Sequence, residues 1–170
     1  MIKIAVTGPE SSGKTSLAKH ISKFFSLKLV SEYAREFLNL ANGKYTESDL
    51  LLIAKEQYKQ NHLETLSGKG LVADTELTVI SVWSQDKFGK IDPLIEQLRK
   101  KEKFDLYLLC YPDLPWEPDP LREDPFRRIE LFENYLTFLD NANANYSIIK
   151  GENREKQAEN HINKLYSSYL

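Results

Sequence analysis

The octet Gly8-Pro-Glu-Ser-Ser-Gly13-Lys14-Thr15 reads G-x-x-x-x-G-K-[ST] and constrains this chain more than any other stretch. The pattern acquires a physical meaning only between a buried strand and a helix. Both flanks comply. Met1 to Thr7 alternates and is β-branched, and Thr15 to Phe25 carries Leu17, Ala18, Ile21, Phe24 and Phe25 at helical spacing. In such a turn the glycines let backbone N–H groups curl around phosphates. The first helical turn adds unpaired N–H donors and the positive end of its dipole. Gly8, Glu10, Ser11, Ser12, Gly13, Lys14, Thr15 and Ser16 are therefore expected to hold a nucleotide. Lys14 would reach the β- and γ-phosphates, and the Thr15 hydroxyl would sit on Mg²⁺. A glycine turn without a ligand is the competing reading, and it leaves the strand–loop–helix context without a purpose.

Downstream the chain alternates. Leu27 to Ser31 reads as a second strand, and Glu32 to Ala41 as a short helix closed by Asn42-Gly43. Thr46-x-x-Asp49 resembles a capping box before a long helix through Leu50, Ile53, Ala54, Gln57 and Leu63. That helix should break at Ser67 to Gly70. A third strand, Gly70 to Asp74, precedes helices over Thr78 to Phe88 and Ile91 to Lys103. Phe104 to Cys110 is nearly continuous in apolar residues, as a parallel strand covered on both faces should be. Tyr111 to Pro125 then holds five of the chain's seven prolines and cannot be helix or central strand. A helix from Phe126, a fifth strand at Tyr146 to Lys150 and a helix from Glu152 to Leu170 complete the chain. Strands alternating with helices define an α/β parallel sheet with right-handed crossovers and helices on both faces. Ligands then collect at the strands' carboxyl ends, where the phosphate loop, Glu32, Asp74 and the proline-rich loop all fall.

At 170 residues the chain suits a single domain, 1–170, with the proline-rich stretch at about 111–128 as a lid-like segment. A net charge of −2 gives no reason to expect a nucleic-acid partner. The one cysteine, Cys110, lies in an apolar run and reads as an inert core residue. Met1 leads straight into the first strand and no apolar run is long enough to span a bilayer, so a cytoplasmic protein without a membrane partner is expected.

A phosphate loop alone names no reaction. GTPases need an N-K-x-D stretch, which is missing here. A small-molecule kinase needs an acid for Mg²⁺, a carboxylate able to take a hydroxyl proton, and cations for the developing charge. Asp74, ending an apolar strand, fits the first requirement, although an acid there could instead cap the following helix. Glu32 is the candidate base or acceptor-holding group; an acid enriched in a helix's first turn is the plainer alternative. Arg35, one turn on, could pair with Glu32 or reach the substrate. Arg122, Arg127 and Arg128 flank the proline-rich loop. Cations at a helix start oppose the dipole, which favours a functional role for at least one. Trp116 could offer its face to a flat, cationic ring or pack onto the sheet edge.

Together Gly8-x-Glu10-Ser11-Ser12-Gly13-Lys14, Glu32-Tyr33-Ala34-Arg35-Glu36, Asp74-Thr75 and the segment Leu106-Tyr-Leu-Leu…Pro115-Trp116…Asp119-x-Leu121-Arg122 resemble the ribosylnicotinamide kinase domain of bacterial NadR proteins. The resemblance implies a P-loop kinase fold with strand order 2-3-1-4-5. It also implies transfer of the ATP γ-phosphate to the 5′-hydroxyl of nicotinamide riboside, giving nicotinamide mononucleotide, with Mg²⁺. On that pattern Lys14, Glu32, Asp74, Arg122 and Arg127 are catalytic, and Thr15 and Asp74 face the metal. Glu32, Tyr33, Arg35, Asp74, Trp116, Asp119 and Arg122 line the substrate. The repressor and dinucleotide-forming activities of the full-length family are not carried over. Gly151 to Arg154 are expected at the adenine by fold analogy alone. The alternatives are a kinase for another nucleoside, and a nucleotide-dependent switch that binds a protein or lipid.

Overall fold

β1 (Lys3–Thr7) is buried along nearly its whole length, so both of its faces need cover. The computed structural model, which describes residues 1–66, 68 and 70–167, supplies that cover with helices on each side of a parallel sheet. The elements that follow are α1 (Lys14–Phe25), β2 (Lys28–Val30), α2 (Tyr33–Leu40), α3 (Glu47–Leu66) and β3 (Leu71–Asp74). They continue with α4 (Leu77–Phe88), α5 (Pro93–Lys101), β4 (Leu106–Cys110), α6 (Arg128–Asn141), β5 (Tyr146–Ile149) and α7 (Arg154–Ser167). The strand order is β2-β3-β1-β4-β5, all parallel, as expected.

One face of the sheet packs on α1 and α7, where Leu17, Ala18, Ile21, Ala158 and Ile162 meet Ile4, Val6, Val72 and Leu108. The other face packs on α4 and α6 through Ala5, Ala73, Leu109, Val82, Leu131 and Phe132. A further layer joins α2, α3 and α5 to α4, with Leu50, Ile53, Leu77, Ile80 and Ile95 all buried. Each such fully buried Leu or Ile contributes about 1.5–3 kcal/mol. Cys110 is wholly buried, and that burial pushes its thiol up to about 12, so it is inert.

Several boundaries move inward from the expected ones for local reasons. Asp92 caps α5 by accepting from Leu94 N at 2.7 Å with Pro93 at the first helical position, so the helix starts at Pro93 rather than Ile91. The Thr46–Asp49 box is half formed. The Asp49 carboxylate accepts from Thr46 N at 2.7 Å, but the Thr46 hydroxyl also donates to that carboxylate rather than accepting from the helix. The break expected over Ser67 to Gly70, and the last three positions of the final helix, fall partly or wholly outside the described residues. No helix among the described residues is long and apolar enough to cross a membrane.

The register positions the chemistry. Val6, one residue before the start of the loop's approach, pairs with Asp74, and Val30 pairs with Ala73. The exits of β1, β2 and β3 therefore lie side by side, with the phosphate loop between β1 and α1.

Candidate active site

The phosphate loop is shaped by two positions that only glycine fills easily. Gly8 has φ 130°, and a Cβ there would stand 2.7 Å from the backbone oxygen of Cys110, so the loop lies hard against the end of β4. Gly13 has φ 80° and precedes α1 in the left-handed conformation; a Cβ there would crowd a terminal carbon of Leu114, at 2.9 Å. The first collision is with backbone and the second with a movable methyl group. Within the loop the Ser12 hydroxyl and the Lys14 ammonium both donate to the Pro9 carbonyl at 2.7 Å. Lys14 is thus folded across the loop to which it belongs.

Three carboxylates surround that ammonium. Glu10, Glu32 and Asp74 all have raised pKa values, with burial as the main cause and the charge of Lys14 opposing it in each case. Glu32 and Asp74 also repel one another. Thr15 hydrogen-bonds to the Asp74 carboxylate, yet Asp74 Oδ1 is buried with no partner among the described groups. A buried, unpaired carboxylate oxygen beside the loop threonine is the donor set a hard divalent cation takes, so the residues present fit Mg²⁺. The alternative reading of Asp74 as a helix cap is overturned. Glu76 does that work, accepting from Thr78 N at 2.7 Å and from the Thr7 hydroxyl at 2.9 Å. Between them Thr75 has φ 88°, a conformation that costs a β-branched residue about 1–3 kcal/mol and turns the chain sharply after Asp74.

The proline-rich segment lies over the loop and is tied to it from both sides. Glu10 accepts from the backbone N–H groups of Glu123 and Asp124 at 2.9 and 3.2 Å. The Ser11 hydroxyl accepts from Glu117 N at 3.0 Å, and Arg128 donates to the backbone oxygens of Ser11 and Leu114. Glu10 and Ser11, expected at the nucleotide, therefore also fasten the segment. Arg35 pairs with Asp119 at 2.9 Å and approaches Glu32 at 3.9 Å. Lys87 bridges Glu123 and Asp124 at 3.0 and 3.1 Å. Burial opposes its charge, but the two carboxylates outweigh burial and hold it protonated. From the other side Arg154 donates to the Ser12 and Tyr111 backbone oxygens and pairs with Asp113. Arg154, from the Gly151–Arg154 stretch expected at the adenine, thus braces the phosphate loop.

Between these parts is a cleft of about 480 Å³. It is lined by the whole octet from Gly8 to Thr15, and by Ser16, Glu32, Arg35 and Arg122. Five residues expected at the substrate or as catalytic do not line it. Tyr33 packs against the layer of α3 and α4. Asp119 is consumed by Arg35 and the Leu121 N–H, the latter being the larger reason its carboxyl sits below the usual range. Trp116 stands under Arg128 and Arg122, with 5.7 and 6.0 Å from guanidinium to ring centre. Arg127 is held by Asp86, Asp124 and Glu130. Asp74 lies behind the cleft wall rather than on it.

The aromatic wall is built instead by Tyr45 and Trp83, whose rings meet edge to face at 4.6 Å. Trp83 Nε1 donates to the Tyr45 hydroxyl at 2.9 Å, which in turn donates to Glu123. Neither residue was marked by spacing. Trp83 reads as part of an apolar helix face, and only the approach of the Gly43–Tyr45 turn shows that its edge faces the cleft.

A family model described as AAA domain matches residues 3–156. The trifunctional NAD biosynthesis/regulator protein NadR of Salmonella typhimurium is 26% identical over 125 residues, covering 70% of this chain and 30% of that protein. The crystal structure of NadR protein in complex with NR superposes with a TM-score of 0.83 at 21% identity, over 96% of this chain and 50% of that one. A NadR structure in complex with NAD and AMP-PNP gives a TM-score of 0.84 at 22% identity, over 96% of this chain and 49% of that one. The chain therefore spans 30% of the curated relative's length and about half of the matched structures'.

Proposed function

The chain belongs to the AAA domain family and has the P-loop kinase fold, and from that premise we propose that it phosphorylates nicotinamide riboside with ATP. The observation that carries the reading is the meeting of Lys14 and Glu32 in a cleft walled by Tyr45 and Trp83, with Asp74 buried close behind them. The relatives crystallised with NR and with AMP-PNP support the choice of acceptor and donor.

In this reading the loop amides and Lys14 hold the triphosphate, and the acceptor's 5′-hydroxyl oxygen attacks the γ-phosphorus as the bond to the β-γ bridging oxygen breaks. ADP leaves, and the hydroxyl proton passes to Glu32. A carboxylate with its basicity raised by burial is suited to that proton. Tyr45 and Trp83 offer aromatic surface to the planar base. Thr15 and Asp74 would hold Mg²⁺, which when bound neutralises phosphate charge. Arg35 and Arg122 add positive charge on the acceptor side. The whole of 1–170 acts as one kinase unit, and residues 111–128 are its lid, excluding water that would compete with the acceptor.

Purified protein incubated with ATP, Mg²⁺ and a nucleoside panel tests the reading. Phosphorylation of nicotinamide riboside should exceed that of uridine, cytidine and deoxynucleosides. A flat or reversed ranking overturns the acceptor and retains a nucleoside kinase. Nucleotide hydrolysis indifferent to every acceptor overturns the kinase.

A further inference from the structure

Glu32 occupies the N-cap position of α2, yet its side chain makes no capping hydrogen bond. An acid at that position ordinarily turns back to accept from the second or third helical N–H, and Glu32 does not. Here the first helical N–H, that of Tyr33, is taken by a residue from another element: it donates to Gln57 Oε1 at 2.9 Å. The same amide donates from Nε2 to the Ser31 carbonyl at 3.3 Å and to Asn61 Oδ1 at 3.4 Å. Asn61 Nδ2 then donates to Glu102 Oε1 at 2.7 Å, and Glu102 Oε2 accepts from Leu77 N at 3.3 Å. Leu77 is the first residue of α4, just beyond Asp74-Thr75-Glu76.

The chain runs from the flanks of Glu32 to the helix that follows Asp74, and its direction is dictated at the start. A backbone carbonyl can only accept and a backbone N–H can only donate, so the Gln57 amide has one orientation, which sets that of Asn61. Gln57 and Asn61 are each 1% exposed and Glu102 5%. Leu50, Ile53 and Ala54 share their face of α3 and are fully buried in the apolar layer. Buried amides on an otherwise apolar face are costly unless every group is satisfied. Apolar replacements would leave Ser31 and Tyr33 without partners.

We propose that Gln57, Asn61 and Glu102 are positioning residues that clamp the peptide groups on both sides of Glu32 and brace the start of α4, fixing the backbone from which the Glu32 carboxylate faces Lys14 and the acceptor. This rests on the kinase reading above for its catalytic consequence and on geometry alone for the clamp.

Gln57→Met keeps the volume and removes every hydrogen bond. Freed of the clamp, the backbone at Glu32 should relax and let its carboxylate turn back onto the second or third N–H of α2, and carboxylates that accept such bonds titrate lower. The expected results are a fall in kcat on the order of ten- to a hundred-fold, as for comparable misplacement of a reacting group, with KM for ATP unchanged. The Glu32 carboxyl titration midpoint, followed by carbon NMR and assigned with Glu32→Gln, should move down. In the Glu32→Gln background Gln57→Met should cost no further kcat. Gln57→Asn, which keeps an amide that no longer spans both groups, should fall between and serves if the methionine variant does not fold. An unmoved midpoint, or losses that add in the double variant, overturns the proposal. A wild-type protein that phosphorylates no nucleoside overturns the kinase reading instead, and the midpoint still decides the clamp.

Discussion

Burial raises the pKa of both Asp74 and Glu32, and that is where single residues should show a conflict between stability and turnover. Asp74→Asn removes a desolvated carboxyl while keeping the shape, so the nucleotide-free variant should melt no lower than the wild type, and higher if the Thr15 contact survives. Turnover should collapse, because the unpaired Oδ1 is the expected metal ligand. A large fall in melting temperature would recast Asp74 as structural. Glu32→Gln should lower kcat by about 10²–10⁴, the usual worth of a positioned general base, with ATP binding retained. An unchanged rate would return Glu32 to the role of a helix-start acid. Lys14→Ala should abolish phosphotransfer while leaving a cooperative melt, since the ammonium's one hydrogen bond among the described residues is to the Pro9 carbonyl.

At the level of elements, the proline-rich segment has no regular structure to hold it, and its order comes from side chains of the phosphate loop, α2 and α4. Glu10 is the shared fastener of Glu123 and Asp124. Glu10→Ala should loosen residues 117–126, exposing them to faster limited proteolysis, and should raise acceptor-independent ATP hydrolysis relative to phosphotransfer. An unaltered ratio and cleavage rate would show that Lys87 and Arg35 suffice. The charge that opposes the helix dipole at the start of α6 favours a functional role for at least one of Arg122, Arg127 and Arg128. The partners of the last two explain their placement otherwise: Asp86, Asp124 and Glu130 neutralise Arg127, and two carbonyls engage Arg128.

For the whole molecule, buried acids should set the pH dependence of stability. Burial first, and then repulsion from Glu76, raises Glu102 from 4.5 to about 7, with Asn61, Leu77 N and Lys3 pulling the other way. An acid that titrates higher in the folded than in the unfolded chain favours the fold while protonated. Its contribution is complete below about 4.5 and is lost as pH rises to about 7. Asp119, Glu130 and Glu159 are depressed and act oppositely, their contribution fading only as pH falls through the ordinary carboxylate range and below. The melting temperature should therefore be higher at pH 6 than at pH 8, and Glu102→Gln should flatten that slope. Equal slopes in the two proteins would exclude Glu102 as the cause.

The strands and helices, the phosphate loop and the acids at strand ends were legible from the residues because each depends on neighbours in sequence, whereas the strand order came only from the family resemblance. Alternation makes strands, helical spacing makes the covering face, and Gly8 and Gly13 make a turn that no other residue forms cheaply. Cys110 was readable as core for the same reason. What sequence could not supply was the partner across space. It left open whether Asp74 capped a helix, and Glu76 answered. It sent Trp116 to the substrate, whereas two arginines hold it and Tyr45 and Trp83 form the wall. It passed over Gln57 as one more position on a helix. Local pattern determines which groups stand at the mouth of the sheet; tertiary hydrogen bonding, which pairs residues far apart in the chain, decides which of them are left free for chemistry.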